Sequence, residues 1–378
     1  MSNPNYNAIN SQEGKFSLST YDHTLLFIVL FLIIIGFLAI FSAAIPKTIS
    51  YGVNSTYFVG KQLAGFLIGF ALMMACSHMP YKKLDKYAIP FAWLIVGLLV
   101  AVHLWGDTTN GATRWLNIGP VKFQPSEAAK LSVILLLASA FSKSINIFST
   151  KFLKYLIPIL IMLGLIFKQP NLSMILILLI CGLFMYFAAG GSLKVIGFFC
   201  GLGLFLLNIL IQSFQRERIM IWLNPNSDPY GAGYNIIQAM IAFVAGGFIG
   251  EGYGNSRQKL GWLPEGHTDF IFAVWGEEFG FIGCLLVVGL FLAFLQRGLL
   301  ISAKCEDIFG KLLSAGITVA ITIQALINIA VSSSMIPATG VPLPFVSYGG
   351  TSLIITMLMI GILLNVSKKK IRKFPNVQ

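Results

Sequence analysis

The sequence predicts an all-α polytopic membrane protein of about ten transmembrane helices, with both termini cytoplasmic and a long extracytoplasmic loop between the seventh and eighth helices. Three observations predict it. Of the 378 residues, 56% are hydrophobic and only 11% charged, against roughly 45–50% and roughly 25% in soluble domains. Apolar windows near the length that spans hydrocarbon, about 20 residues, recur along the whole chain. Lysine and arginine concentrate in alternate connections, the pattern of loops retained on the cytoplasmic side.

The windows fall at 24–45, 57–79, 87–105, 128–141, 152–167, 174–188, 193–212, 272–295, 311–335 and 350–366. The fourth, fifth and sixth are short. Pro170 before the sixth and Gly190 and Gly191 after it leave room for a broken or re-entrant element there. With the N-terminus inside, the inner segments carry Lys15; Lys82, Lys83 and Lys86; Lys143, Lys151 and Lys154; Lys194; Arg297, Lys304 and Lys311; and Lys368, Lys369, Lys370, Arg372 and Lys373. Those are well over half of the 26 basic residues. Asp107, Glu127, Glu217, Asp228, Glu251, Glu265, Asp269, Glu277 and Glu278 fall at or near the outer side.

The net charge of +12 therefore reads as anchoring against anionic lipid of the inner leaflet, and not as a nucleic-acid footprint. Cys76, Cys181, Cys200, Cys284 and Cys305 lack CxxC spacing and read as small packing residues. The polar start has one basic residue and no cleavage-site pattern, so the first helix is expected to be retained. The expected organisation is a cytoplasmic tail at 1–23, one membrane domain at 24–366 and a basic cytoplasmic tail at 367–378.

The exception to short connections is the loop 213–271. It opens with turn chemistry at Asn224, Pro225, Asn226, Asp228, Pro229 and Gly231. An apolar stretch at 234–248 follows, where Ile236, Ile237, Met240, Ile241 and Val244 recur near helical spacing. A helix lying in the outer interface is expected. Long Gly-rich loops of this kind usually carry function.

Within this loop, Glu265, His267 and Asp269 lie close together just before the chain re-enters hydrocarbon. A desolvated carboxylate has a raised pKa and suits proton abstraction from an alcohol; Asp269 as a plain helix cap fits the same spacing. Glu265 and His267 alone do not complete a metal site. Glu277 and Glu278 are adjacent on the eighth helix, about 100° apart, so at least one must meet a polar cavity or a cation.

At the fourth helix, Asn110-Gly-Ala-Thr-Arg-Trp-Leu116 leads to Phe123-Gln-Pro-Ser-Glu-Ala-Ala-Lys130. Ser126 and Glu127 after Pro125 mark a helix start, and Glu127 and Lys130 share a face. Arg114, Lys122 and Lys130 gather near one membrane edge, where an anionic headgroup would sit. Lys61, Lys168, Arg216, Arg218, Arg257 and Lys259 flank the membrane as further donors to a polyphosphate, or as snorkelling helix-end cations. The run 337–351 carries three prolines and three glycines between two apolar windows, so it reads as the rigid, irregular wall of a cavity. Its Ser347 and Tyr348 hydroxyls suit either a sugar or local carbonyls.

These motifs resemble the SEDS family, named for shape, elongation, division and sporulation. The resemblance runs over essentially the whole chain and rests on 110–116, 123–127, 263–273 with Gly276-Glu-Glu278, and 337–352. The stretches 254–260 and 110–112 are nearer the division or sporulation type than the elongation type. The resemblance implies a ten-helix peptidoglycan glycosyltransferase at the division septum in the bacterial inner membrane. Its substrate would be lipid II, and its partners a class B penicillin-binding protein and other divisome or elongasome components. It places the essential extracytoplasmic aspartate on Asp269, and an arginine, a glutamate and a lysine on Arg114, Glu127 and Lys130. Where the family reads Lys-Gln-Pro-Asp-Leu-Gly-Thr, this chain has Lys168-Gln-Pro-Asn-Leu-Ser-Met174, so Asn171 stands in place of a carboxylate.

On this reading Asp269 takes the proton of the acceptor hydroxyl while undecaprenyl pyrophosphate leaves the donor. Arg114, Lys130, Arg216, Arg218, Arg257 and Lys259 form the pool for a cationic clamp, joined or not by Mg²⁺ or Mn²⁺. Two rivals remain from other classes. One is a lipid II flippase, suggested by intramembrane charges and broken helices. The other is a non-catalytic divisome scaffold.

Overall fold

A computed structural model describes residues 21–368 apart from 51, 53, 55, 110, 111, 119, 120, 145, 211 and 212. The expected tails before residue 21 and after 368, with Lys15, Asn110 and Gly111, lie outside the described residues. The chain is mainly helical: α1 (His23–Ser50), α2 (Tyr57–His78), α3 (Lys82–Trp105), α4 (Pro125–Ser142), α5 (Leu153–Lys168), α6 (Leu172–Ala188), α7 (Leu193–Leu210), α8 (Ser213–Leu223), α9 (Tyr234–Gly246), α10 (Ile271–Lys304), α11 (Ile308–Ser332) and α12 (Gly350–Ser367).

Eight of these helices are long and apolar enough to cross a membrane. The windows at 174–188 and 193–212 appear as the shorter apolar helices α6 and α7, and the interfacial window as α9. α6 is continuous rather than broken, because Pro170 and Gly190 fall outside it and Asn171 caps it, its Oδ1 accepting from Met174 N at 3.3 Å. The amide thus performs the capping that a carboxylate would.

Burial separates the helices. α4, α11 and α12 are buried around most of their circumference, whereas α2, α3 and α5 turn most of their surface outward. A helix that is apolar all round belongs inside. α4 also begins where Pro125 sits at its first turn, the position that tolerates a missing N–H. The irregular run 337–349 joins α11 to α12.

The chain also forms an unexpected three-stranded antiparallel sheet, β1 (Asp107–Thr109), β2 (Ala112–Ile118) and β3 (Val121–Phe123). It lies between α3 and α4 and carries Arg114 on its central strand.

α10 is interrupted. Gly280 has φ 63° and ψ −161°, which separates 271–279 from the longer helix below. Main-chain groups freed by a break inside hydrocarbon need partners. The segment 247–252 supplies them: Glu251 N and Gly252 N donate to Glu277 O and Glu278 O at 2.9 and 3.0 Å, while Phe281 N donates to Gly247 O at 2.9 Å. A Cβ on Gly280 would lie 2.5 Å from Gly250 N, in a left-handed conformation that L side chains avoid. Gly280→Ala is expected to destabilise the fold by about 2–3 kcal/mol, read as a lowered thermal midpoint in detergent.

Connections collect at two opposite ends. At one end Asp22 accepts from Arg297 at 2.8 and 2.9 Å, Lys143 pairs with Asp85 at 2.9 Å, and Asn365 accepts from Tyr81 N at 3.0 Å. The other end holds the sheet, α8, α9 and the loops 247–270 and 337–349.

Candidate functional site

Three irregular segments converge at the second end: β2 with Arg114, the loop before α10 with Asp269, and the run 337–349. Arg114 is half-buried, its Nε and Nη2 donating to the carbonyls of Gln169 and Pro170 at 2.9 and 2.6 Å. Those two bonds tie the sheet to the α5–α6 turn and fix the guanidinium plane. A Cβ on Gly340 would lie 3.5 Å from Arg114 Nη1 and 3.6 Å from Asp269 Oδ2. Arg114 and Asp269 thus flank the same small space, and Gly340 forms its floor.

α11 holds this geometry from below. Gln324, Asn328 and Ser332 stand four residues apart and so share one helix face. Gln324 Nε2 donates to Pro342 O at 2.9 Å. Asn328 Nδ2 bridges Asp269 O and Val341 O, each at 2.8 Å, and Ser332 Oγ reaches Asp269 O at 3.2 Å. Ser347 Oγ accepts from Leu343 N at 2.8 Å and donates to Thr268 O at 2.6 Å, while Tyr348 N donates to His267 O at 3.0 Å. The two loops are pinned to each other and to a buried helix. Asn328→Leu takes its donor from Val341 O and leaves Asp269 O to Ser332 alone, at a cost of about 1–3 kcal/mol. Faster amide hydrogen exchange across 266–270 and 340–343 is the expected result.

Asp269 is the titratable centre. Burial comes first among the causes and Glu265 second, together raising its pKa from 3.8 to about 7, against the pull of Arg114 and Arg218. Burial likewise lowers the Arg114 pKa from its usual value, with Arg218 adding to the shift and Asp269 opposing it. Glu265 holds φ 54° and accepts from Thr268 Oγ1 at 2.7 Å, so its charge is kept within the loop.

The other sequence candidates divide by what they touch. Arg218, exposed on α8, donates to Ala338 O at 3.2 Å and so reaches the same loop. Arg216 is exposed on the same helix, and Lys168 is exposed beside Gln169. His267 is buried between the rings of Phe58 and Tyr348, with centroids 5.4 and 5.8 Å away. Burial pushes the Tyr348 phenol up to about 12, and Ser347 has its hydroxyl committed to the loop.

Glu277 receives Ser256 Oγ, Arg257 N at 2.9 Å and Gln258 N at 3.2 Å, while exposed Arg257 extends beyond. Lys259 Nζ pairs with Glu278 at 2.9 Å and bonds Ser42 Oγ at 2.6 Å, with both charged side chains buried. Glu277, Glu278 and Lys259 therefore fasten the loop 251–260 onto α10. Lys130 pairs with Glu127 at 2.7 Å, each side chain 1% exposed, and also donates to Gln324. Through Gln324 that ion pair connects to the 337–349 loop, behind the space between Arg114 and Asp269.

Gln324, Asn328, Ser332 and Gly340 were not singled out from sequence. The i, i+4, i+8 polar spacing inside an apolar helix was the available signal for the first three. Among the described residues, no three His, Cys, Asp or Glu side chains gather in a group able to hold a metal ion.

The chain matches the family model described as "Cell cycle protein", which groups FtsW, RodA and SpoVE, over residues 23–372. It is similar to a probable peptidoglycan glycosyltransferase FtsW of Trichlorobacter lovleyi, 38% identical over 362 residues, covering 93% of this chain and 94% of that protein. It is also similar to the peptidoglycan glycosyltransferase MrdB of Escherichia coli K12, 36% identical over 352 residues, covering 91% and 93%. The fold matches a solved chain described under "Structural coordination of polymerization and crosslinking by a peptidoglycan synthase complex". That match has a TM-score of 0.76 and 29% identity, covering 94% of this chain and 99% of that one.

Proposed function

Since this chain belongs to the FtsW, RodA and SpoVE family, as an FtsW-like, multi-pass membrane glycosyltransferase of peptidoglycan, we propose that it polymerises lipid II with Asp269 as general base. On this reading the Asp269 end faces out of the cytoplasm and the lysine-rich end faces in, in keeping with the charge asymmetry. Asp269 removes the proton from the 4-hydroxyl of the acceptor GlcNAc. The freed oxygen attacks the anomeric carbon of the donor MurNAc with inversion, a new glycosidic bond forms, and undecaprenyl pyrophosphate departs with the electrons of the broken C–O bond. A diphosphate needs charge stabilisation more than a general acid.

Arg114 and Arg218 are the cations whose charge acts on the Asp269 carboxyl and would meet developing negative charge, with Arg216, Arg257 and Lys168 as further exposed cations. Glu127 with Lys130, and Glu278 with Lys259, hold the walls. One observation carries the reading: a carboxyl raised to about 7 stands opposite a main-chain-anchored arginine across a gap floored by glycine. At neutral pH such a group is both a competent base and substantially ionised.

A class B penicillin-binding protein is the proposed partner, and the division septum the proposed place of work. The test is reconstitution of the purified chain with fluorescent lipid II, with and without that partner. Glycan polymer supports the reading. Leaflet exchange without polymer would make the chain a flippase, and neither result would leave a scaffold.

A further inference from the structure

We propose that the space above Gly340 is the subsite of the attacking hydroxyl, and that Gly340 sets its size. The inference rests on the reading of Asp269 as the base. A hydroxyl group is a donor and an acceptor at once, and the two atoms bounding this space match it: Asp269 Oδ2 accepts and Arg114 Nη1 donates. A hydroxyl oxygen there would stand about 2.5–3.0 Å from the carboxylate and about 2.7–3.2 Å from the guanidinium. A Cβ on Gly340 would fall 3.6 and 3.5 Å from the same atoms, in the volume that oxygen needs.

The backbone does not require glycine at this position. Gly340 has no left-handed φ, it is exposed, and among the described residues beyond its chain neighbours those two side-chain atoms are all that the added carbon would meet within 4 Å, both at ordinary van der Waals distance. Folding alone therefore tolerates alanine, and substrate excludes it. Arg114 is tied down at Nε and Nη2 and the Asp269 main chain is held by Asn328 and Ser332, so neither can step aside easily.

The experiment compares Gly340→Ala, Gly340→Val, Asp269→Asn and, as a control in the same loop, Gly349→Ala, whose added carbon meets Ser352 Cβ at 3.7 Å. Each is purified in detergent, melted, titrated with fluorescent lipid II and assayed for polymer. Gly340→Ala is expected to melt with wild-type, bind lipid II within about twofold, and polymerise about tenfold more slowly; Gly340→Val is expected to lose about 100-fold, the scale of a misplaced reacting group. Gly349→Ala stays at wild-type rate and Asp269→Asn is inactive.

Wild-type rates in both Gly340 variants beside an inactive Asp269→Asn would overturn the subsite and leave the base intact. An active Asp269→Asn would overturn the base itself. Loss of lipid II binding in Gly340→Ala, or its failure to fold, would also overturn the subsite, because either makes the glycine a general requirement. If Gly340→Val alone fails to fold, the alanine variant decides.

Discussion

Asp269→Asn is expected to bind lipid II and make no detectable glycan, a fall of about 10²–10⁴-fold for loss of a general base. Asparagine keeps the size of the side chain and leaves the Asp269 carbonyl to Asn328 and Ser332, so the loop geometry survives. What disappears is the site that accepts the proton. The wild-type rate should rise with pH through about 7, because the carboxyl must first lose its own proton. Gel-resolved polymer from purified protein, measured between pH 5 and 8.5, checks both; a rate independent of pH across neutrality would remove Asp269 from the mechanism.

Stability should move the opposite way. The folded-state pKa is raised above the unfolded value of 3.8. Between about 4 and 7 the folded chain therefore binds more protons than the unfolded chain, and stability falls as pH rises across that window. Above it, the buried carboxylate remains a cost on the order of a few kcal/mol, which Asp269→Asn removes. The variant is thus expected to melt higher than wild-type at pH 8 and near it at pH 4, a site that trades stability for chemistry.

The second large effect is expected at the buried pair. Lys130→Met leaves Glu127 1% exposed and without its cation, with its Oε1 already lacking a partner and its Oε2 losing the lysine. Removing one member of a buried pair costs about 3–5 kcal/mol, whereas replacing both by apolar side chains is often nearly neutral. Lys130→Met should therefore melt far lower than Glu127→Leu/Lys130→Met. The double variant separates two roles for the pair. If it regains both stability and polymerisation, Lys130 acts as a wall; if it regains stability alone, the charge itself serves the reaction, through Gln324 and the 337–349 loop.

Helix positions were legible because hydrocarbon leaves the backbone little choice. A span must bury every N–H and C=O in its own helix and present apolar side chains, so the windows at 57–79, 311–335 and 350–366 could be read within a few residues of α2, α11 and α12. Turn chemistry likewise marked 337–349 as irregular. The break at Gly280 was not legible, since Gly276 and Gly283 flank it at similar spacing without breaking the helix, and only the segment 247–252 satisfies the opened main chain. The short sheet was hidden for a similar reason: strands of three to seven residues carry too little alternation to register.

For the candidate site, the sequence by itself supplied the inventory: a carboxylate expected at a water boundary, cations expected at one membrane edge, and an irregular run of proline and glycine. It could do so because charge beside hydrocarbon is costly and stands out locally. Tertiary structure alone decided which charges are spoken for and which face each other. The i, i+3 spacing of Glu127 and Lys130 gives them a shared helix face but not their burial, and Glu278 and Lys259 look no different along the chain from Asp269 and Arg114. Only the fold shows that the first two pairs are closed on themselves, while Arg114 and Asp269 are held apart over Gly340, because distances between remote segments are set by packing and carry no periodicity that a sequence displays.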